Sequence, residues 1–403
     1  MATEKRELDL VLFGATGFTG RLTAEYLAGQ RPSLRWGLAG RNRQKLEAVR
    51  AELGLPDLPI LVGDSLDAQA MAAIARRARV VCSTVGPYAK WGSPLVAACA
   101  DAGTSYCDLT GEPDWVRSMI DAHEKRALAT GARIVPSCGF DSIPSDLGVF
   151  VLGRHFAAKG RRLVEARLRV TSVRGGPSGG TIASALGIAE RMRDPAARRV
   201  MADPYALNPE GQRSGPDRNE PLQPRRDPTT GHWLAPFVMA AANTRVVRRS
   251  NALLDFPYGR DFRYEETMDT GDGARGFARA AAVSAGFVAF FAALATSPTR
   301  SLVARMLPSP GEGPDRDARE NGHFRIAIDG RGDDSTTVRA LVAADKDPGY
   351  GATAIMLGQS ALCLAGDELP SRAGFLTPST AMGEPLLARL RAAGVRFDVD
   401  VMA

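Results

Sequence analysis

A short apolar strand running straight into three glycines spaced three apart constrains this chain more than any other feature. Leu8, Leu10, Val11, Leu12 and Phe13 make the strand, and Gly14-Ala15-Thr16-Gly17-Phe18-Thr19-Gly20 makes the turn. Leu22, Tyr26 and Leu27 then follow at helical spacing. With 42 glycines in the chain, the glycine pattern alone would carry little; its place between a strand and a helix makes it a dinucleotide fingerprint. Gly14 permits a tight turn off the strand, Gly17 lets backbone N–H groups approach a pyrophosphate, and Gly20 lets the helix pack close to the sheet. The phosphates then meet the positive end of the helix.

The second strand, expected over Leu34–Leu38, selects the dinucleotide. About 20 residues after the fingerprint an NAD site carries an acid for the ribose 2′-hydroxyl, but here stands Ala39-Gly40-Arg41. Arg41 offers a planar fork to a 2′-phosphate, so the cofactor read from the sequence is NADP(H). A third strand, Pro59–Val62, ends at Asp64, which either meets the adenine or caps the next helix. A fourth, Arg79–Thr84, runs into Val85-Gly86-Pro87-Tyr88, and Ser93-Pro94 is read as the cap of the helix Leu95–Ala102. Strand ends meet the ligand in such sheets, so this loop belongs beside the nicotinamide. The candidate cofactor contacts are Gly14, Thr16, Gly17, Phe18, Thr19, Gly20, Arg41, Asp64, Val85, Gly86 and Pro87.

Two more strands, Ser105–Leu109 and Ala132–Pro136, complete six over the first 150 residues. The expected fold is α/β: a Rossmann-type doubly wound parallel sheet over 1–150, a second α+β domain with a mainly antiparallel sheet over 151–345, and a C-terminal segment, 346–403, returning toward the first domain. The loops carry a resemblance. Gly14 to Gly20, Ala39-Gly40-Arg41, Val85-Gly86-Pro87-Tyr88, Asp108-Leu109-Thr110-Gly111-Glu112 and Gly139-Phe140-Asp141-Ser142-Ile143-Pro144-Ser145-Asp146 together resemble the saccharopine dehydrogenase-like oxidoreductases. Within that superfamily the chain is most similar to the mycobacterial trans-acting enoyl reductases and the animal saccharopine dehydrogenase-like oxidoreductases. The resemblance continues through Pro308–Pro314 and Asp347–Gly351, covering nearly the whole chain.

Composition is that of a globular enzyme: 403 residues, 44% apolar and 24% charged. The net charge of +6 resides mainly on arginine. Arg225-Arg226 and Arg248-Arg249 are candidates for an acidic partner, while no nucleic-acid motif is present. Five cysteines without metal-ligand spacing and four scattered histidines point to reduced thiols and no metal site. A polar N-terminus entering a strand within ten residues leads us to expect no signal peptide and a cytoplasmic chain.

In the second domain, strands are expected at Leu163–Val173, His232–Arg249, Asp261–Thr267, Phe324–Asp329 and Thr336–Ala344, with helices from Gly179 to about Met192 and over Tyr350–Leu364. The Pro- and Arg-rich stretch Asp194–Thr230 reads equally as a lid or a disordered insertion. Ala280–Thr299 is twenty residues without a charge, including Phe287, Phe290, Phe291 and Leu294. Its alanine content favours a buried or interfacial helix over a membrane span.

Hydride transfer requires a polarised acceptor and a proton. Tyr88 is the best-placed donor, Lys90 a second candidate, and Asp141 either orients a group near the ring or caps the following helix. The Tyr-x-x-x-Lys pair of short-chain dehydrogenases is absent after the fourth strand. The resemblance implies an NADPH-dependent reductase of an acyl or polyketide carbon–carbon double bond. A carbon–nitrogen oxidoreductase of saccharopine dehydrogenase type, or a non-catalytic NADP-binding lipid-surface protein, are the alternatives. The expected partner is a small-molecule or carrier-bound acyl substrate; membrane contact through 280–299 and a homodimer stay open.

Overall fold

The computed structural model describes residues 6–175, 184, 186–188, 190–295 and 320–401. The expected helix opening at Gly179 and the Pro308–Pro314 motif fall largely or wholly outside them. The chain forms two compact units: Met1–Ile143 with Gly349–Ala393, and Pro144–Ser309 with Pro314–Pro348 and Gly394–Ala403. The boundary between the units falls after Ile143, and residues of 346–403 occur in both units.

The first unit alternates strand and helix: β1 Leu8–Phe13, α1 Phe18–Gln30, β2 Trp36–Gly40, α2 Arg43–Glu52, β3 Ile60–Val62, α3 Ala68–Arg77 and β4 Ala78–Ser83. Then come α4 Tyr88–Trp91, α5 Ser93–Ala102, β5 Ser105–Asp108, α6 Pro113–Thr130 and β6 Arg133–Val135. Every strand pair is parallel, with β1 between β4 (Leu12 opposite Cys82) and β2 (Leu12 opposite Leu38). The spatial order β6-β5-β4-β1-β2-β3 reverses direction at β1/β4, the switch point where such sheets bind dinucleotides. Leu10, Leu12, Leu38, Val81 and Tyr106 are buried, as befits a sheet covered on both faces.

The second unit contains α7 Ile143–Ala157, β7 Leu163–Arg174, α8 Pro195–Ala202, β8 Arg225–Arg226, β9 Trp233–Pro236, α9 Ala240–Leu253, β10 Arg263–Gly271, α10 Gly273–Ala295, β11 His323–Gly332 and β12 Thr337–Ala344. The chain returns to the first unit as α11 Thr353–Gly366, β13 Gly374–Phe375, α12 Pro378–Ala381 and α13 Gly383–Ala392, with β13 extending the parallel sheet beside β6. The last strand, β14 Arg396–Val401, pairs with β12 in the second sheet. That sheet runs β14-β12-β11-β7-β10-β9-β8 and is antiparallel throughout except between β7 and β10.

Three expectations need correction. The strand read over His232–Arg249 is only β9, and the remainder is α9, a helix buried nearly all round. Asn243, Thr244, Arg245, Arg248, Arg249, Ser250 and Asn251 are buried along with its apolar residues, so neither face of the helix is marked by an apolar stripe and periodicity does not reveal it.

The stretch Asp194–Thr230 is neither free lid nor loose insertion. Asp194 caps α8 by accepting from Ala196 N–H. Three buried arginines of α9 then anchor the segment beyond the cap. Arg245 donates to the carbonyls of Met201 (2.7 Å) and Asp203 (3.1 Å), Arg248 to Asp217 (2.8 Å) and Arg249 to the Leu207 carbonyl. Arg248 and Arg249, assigned to an acidic partner, thus serve this internal task; Arg225 pairs with Glu265 at 2.7 Å and Arg226 stands over the Trp233 ring.

The helix expected at 280–299 begins at Gly273, and residues 296–299 lie outside the described ones. It is not a buried helix. Among its described residues only Gly276, Ala280, Ser284 and Leu294 are buried, while Phe277, Val288 and Phe291 are exposed. By length and composition alone it is apolar enough to cross a membrane.

Candidate active site

The phosphate cradle follows from three glycines with three different surroundings. Gly14 adopts φ +93° and donates its N–H to the Ala39 carbonyl at 2.8 Å, turning the chain off β1. A Cβ there would lie 2.6 Å from Val85 Cγ2, and one at Gly20 only 2.1 Å from the Gly14 carbonyl oxygen. Both positions are closed by packing. Gly17 differs: it is exposed, and its Cβ would meet nothing nearer than that same oxygen at 3.5 Å. Gly17 also stands at the N-cap of α1, where no side chain takes the first N–H groups. An open glycine edge at an uncapped helix N-terminus fits a pyrophosphate. Thr16 and Thr19 are half-buried beside it, and the Phe18 ring packs edge-on against Tyr350, centroids 4.7 Å apart. Thr84 donates to the Gly14 carbonyl at 3.1 Å and so ties the end of β4 to the cradle.

At the adenosine end, β2 runs two residues further than expected, so Arg41 is the first residue beyond the strand. It is exposed, and no carboxylate among the described residues pairs with it. Asn42 caps α2 and Arg43 is engaged with Glu47 at 3.7 Å, which leaves Arg41 as the available cation. Asp64 is exposed at the end of β3; its carboxylate accepts from Leu66 N–H at 2.9 Å. The capping of α3 belongs to Asp67 instead.

The loops after β4, β5 and β6 form the reaction end. Val85 and Pro87 are half-buried, Gly86 exposed. Tyr88 is fully buried, with its hydroxyl donating to the Ser83 carbonyl (3.0 Å) and accepting from Leu109 N–H (3.3 Å). Burial and the neighbouring Asp108 raise its pKa well above the ordinary phenol value. Its hydroxyl ties the β4 and β5 loops together, with its proton directed at the Ser83 carbonyl. Lys90 is exposed on α4. Ser93 does not cap α5; its hydroxyl accepts from Trp115 Nε1 at 3.0 Å.

Asp141 lies in the turn between β6 and α7. No hydrogen-bond or ion-pair partner meets its carboxyl among the described residues. Part of its surface stays open, yet desolvation by its surroundings raises its pKa to about 6. Within these loops it is the carboxyl group left with a titratable proton and no structural duty.

Two acids in the resemblance motif carry more than the sequence reading assigned them. Asp108, buried at the end of β5, accepts from Tyr106 Oη (2.8 Å) and from the N–H groups of Thr110 and Ser137 (3.0 Å each). Burial nevertheless raises its pKa to about 7. Glu112, also buried, accepts from Tyr88 N–H (2.8 Å) and Ala89 N–H (3.2 Å), holding the start of α4. Asp108 is the last residue of β5 and Glu112 the N-cap residue of α6, the two ends of one loop of the resemblance motif. All five cysteines are free and buried, and no cluster among the described residues could hold a metal ion.

Comparison with known proteins agrees with this geometry. Residues 10–135 match the family model of the saccharopine dehydrogenase NADP binding domain. A Mycobacterium tuberculosis protein provisionally assigned as a trans-acting enoyl reductase is 47% identical, the alignment covering 100% of both chains. The trans-acting enoyl reductase of the same species is 44% identical over 98% of each, and that of Mycobacterium ulcerans 43% over 98%. Among solved structures, Saccharomyces cerevisiae saccharopine dehydrogenase (L-Glu forming) shares the fold with a TM-score of 0.55 at 13% identity, covering 98% of this chain and 99% of that one.

Proposed function

Because the chain belongs to the trans-acting enoyl reductase family and is an NADP-dependent oxidoreductase, we propose that it reduces the carbon–carbon double bond of an enoyl chain presented as a thioester, free or on a carrier. The observation that carries this reading is the end-to-end likeness to proteins named for that reaction, extending well beyond the nucleotide domain.

NADPH, when bound, supplies the hydride. The backbone at Gly17 and the first turn of α1 receive the pyrophosphate, and Arg41 takes the 2′-phosphate through charge-assisted contacts. Tyr88 and Glu112 hold the β4 loop against the β5 loop so that the substrate's double bond meets a fixed floor. Asp141 delivers the proton: as the β-carbon gains hydride, negative charge develops on the α-carbon and thioester oxygen, and a carboxyl group with a pKa near 6 is matched to protonating it near neutral pH. Its proton is present below about pH 6 and lost above.

Turnover of a crotonyl thioester with NADPH, followed at the nicotinamide absorbance, tests the reading. Activity should decline as pH rises through about 6 and upward, Asp141→Asn should lower kcat by about 100-fold and remove that limb, and Arg41→Ala should narrow the preference for NADPH over NADH. Turnover of an imine substrate with none on enoyl thioesters would transfer the chain to carbon–nitrogen chemistry. Full kcat in Asp141→Asn would remove that residue from the reaction.

A further inference from the structure

A cavity of about 640 Å³ lies within the second unit, between strands β7, β10 and β11 and the segment 216–228 that α9 pins down. Its size is that of a small-molecule site, but its wall is charged, and the charges do not cancel.

Each lining acid is already matched. Glu165 pairs with Arg167 (2.6 Å) and Arg331 (2.8 Å), and Glu265 with Arg225 (2.7 Å). Asp217 and Glu220 share Arg248 from α9 at 2.8 and 3.5 Å. Asp227 meets Arg169 at 3.0 Å, where Arg169 also reaches Asp269 (3.3 Å) and Asp329 (2.6 Å) and Arg339 backs Asp329. Three lining cations remain without a carboxylate among the described residues: Arg218 from the pinned segment, Arg226 from β8 and Arg263 from the start of β10. All three are exposed, and Arg226 lies over the Trp233 ring, 5.3 Å from its centroid.

Three guanidinium groups converging on one hollow from separate elements match a multiply charged oxyanion better than a single carboxylate, because each planar fork can take two phosphate oxygens. The volume exceeds what a lone phosphate fills, so the anion has an organic body. We propose that this cavity binds a phosphate ester, the chemistry shared by coenzyme A thioesters and by the phosphopantetheine arm of an acyl carrier. The phosphate chemistry is argued from the arginines alone, while the choice of a thioester-bearing arm as its organic body rests on the enoyl reductase reading.

Isothermal titration of the full chain, saturated with NADP+ to fill the cradle, tests it with coenzyme A, inorganic pyrophosphate and pantetheine, the last being the arm without phosphate. Coenzyme A should bind, pantetheine should not, and Arg218→Ala/Arg226→Ala/Arg263→Ala should weaken coenzyme A by about 100-fold or more while leaving NADP+ affinity unchanged. Coenzyme A binding tighter than pyrophosphate supports a site that reads the organic body with its phosphate, and pyrophosphate binding as tight as coenzyme A would overturn the ester. Equal affinity for pantetheine, unchanged affinity in the triple variant, or no binding of either phosphate compound would overturn the proposal. No turnover is read, so the enoyl reductase assignment stands or falls separately.

Discussion

Three glycines of one fingerprint respond differently to the same added methyl group, because packing rather than identity decides what each tolerates. A Cβ at Gly20 collides with the Gly14 carbonyl oxygen, so Gly20→Ala must push α1 off the sheet. We expect a loss of about 1–3 kcal/mol in unfolding free energy, with NADPH binding lost as well. Gly17→Ala meets no such obstacle at φ −76° and should melt like the unmodified protein. Its methyl group instead occupies the phosphate's approach and should raise the NADPH dissociation constant by about tenfold. Thermal melts paired with fluorescence titration separate the two. An equal loss of stability in both variants would show that the Gly17 edge is not open. Tyr88 teaches the complementary lesson: its type and loop position are those of a proton donor, and only the Ser83 carbonyl and the Leu109 N–H show that its hydroxyl is spoken for.

Element by element, the sequence is most legible where a segment needs nothing from its surroundings. Parallel strands buried on both faces read as apolar runs, whereas the helix caps were settled by the structure: Asp67 rather than Asp64 caps α3, and Asp194, at the head of a stretch read as a lid or an insertion, caps α8. The helix α9 is the counterexample. Its arginines look like surface charge, yet Arg245 ends α8 by taking the Met201 and Asp203 carbonyls that the helix leaves unpaired. Burial lowers its pKa to about 10, and it stays protonated near neutrality. Replacing it with methionine keeps much of the packing but orphans the Met201 carbonyl and leaves that of Asp203 to Ala206 N–H alone, at a cost of about 1–3 kcal/mol. Hydrogen exchange should then accelerate across 195–217 before the rest of the second unit. Unchanged protection there would mean that the segment is held by other contacts.

Across the whole molecule, the buried acids set how stability depends on pH. Asp108 in the first unit and Glu266 in the second are both raised to about 7 by burial, the latter while accepting from Tyr264 Oη (2.8 Å) and Asn243 Nδ2 (2.9 Å). A folded-state pKa above the unfolded one means that the native protein holds protons which the unfolded chain has released. Stability from these groups is complete below the unfolded value and disappears as pH rises through about 7. Carboxylates held low by arginine, such as Asp9 and Asp367, act oppositely and lose their contribution as pH falls through the acid range. Urea unfolding should therefore be most resistant near about pH 5 and less so at about pH 8. Asp108→Asn with Glu266→Gln should flatten the alkaline side; an unaltered slope would assign that side to other groups.

By itself the sequence determined the nucleotide domain, its alternation of strand and helix and its NADP cofactor, because a dinucleotide is bound mainly by backbone. Backbone geometry is written locally, in where glycine stands, where an acid is missing and where apolar runs begin and end. What only the tertiary structure decided is which side chains remain free to act once folding has used the others. Tyr88, Arg248 and Arg249 were consumed by carbonyls and carboxylates up to 44 residues away in the chain, while Asp141, Arg218 and Arg263 met no partner among the described residues. Pairings over such distances arise from how the elements pack, and no local pattern of residue types records them.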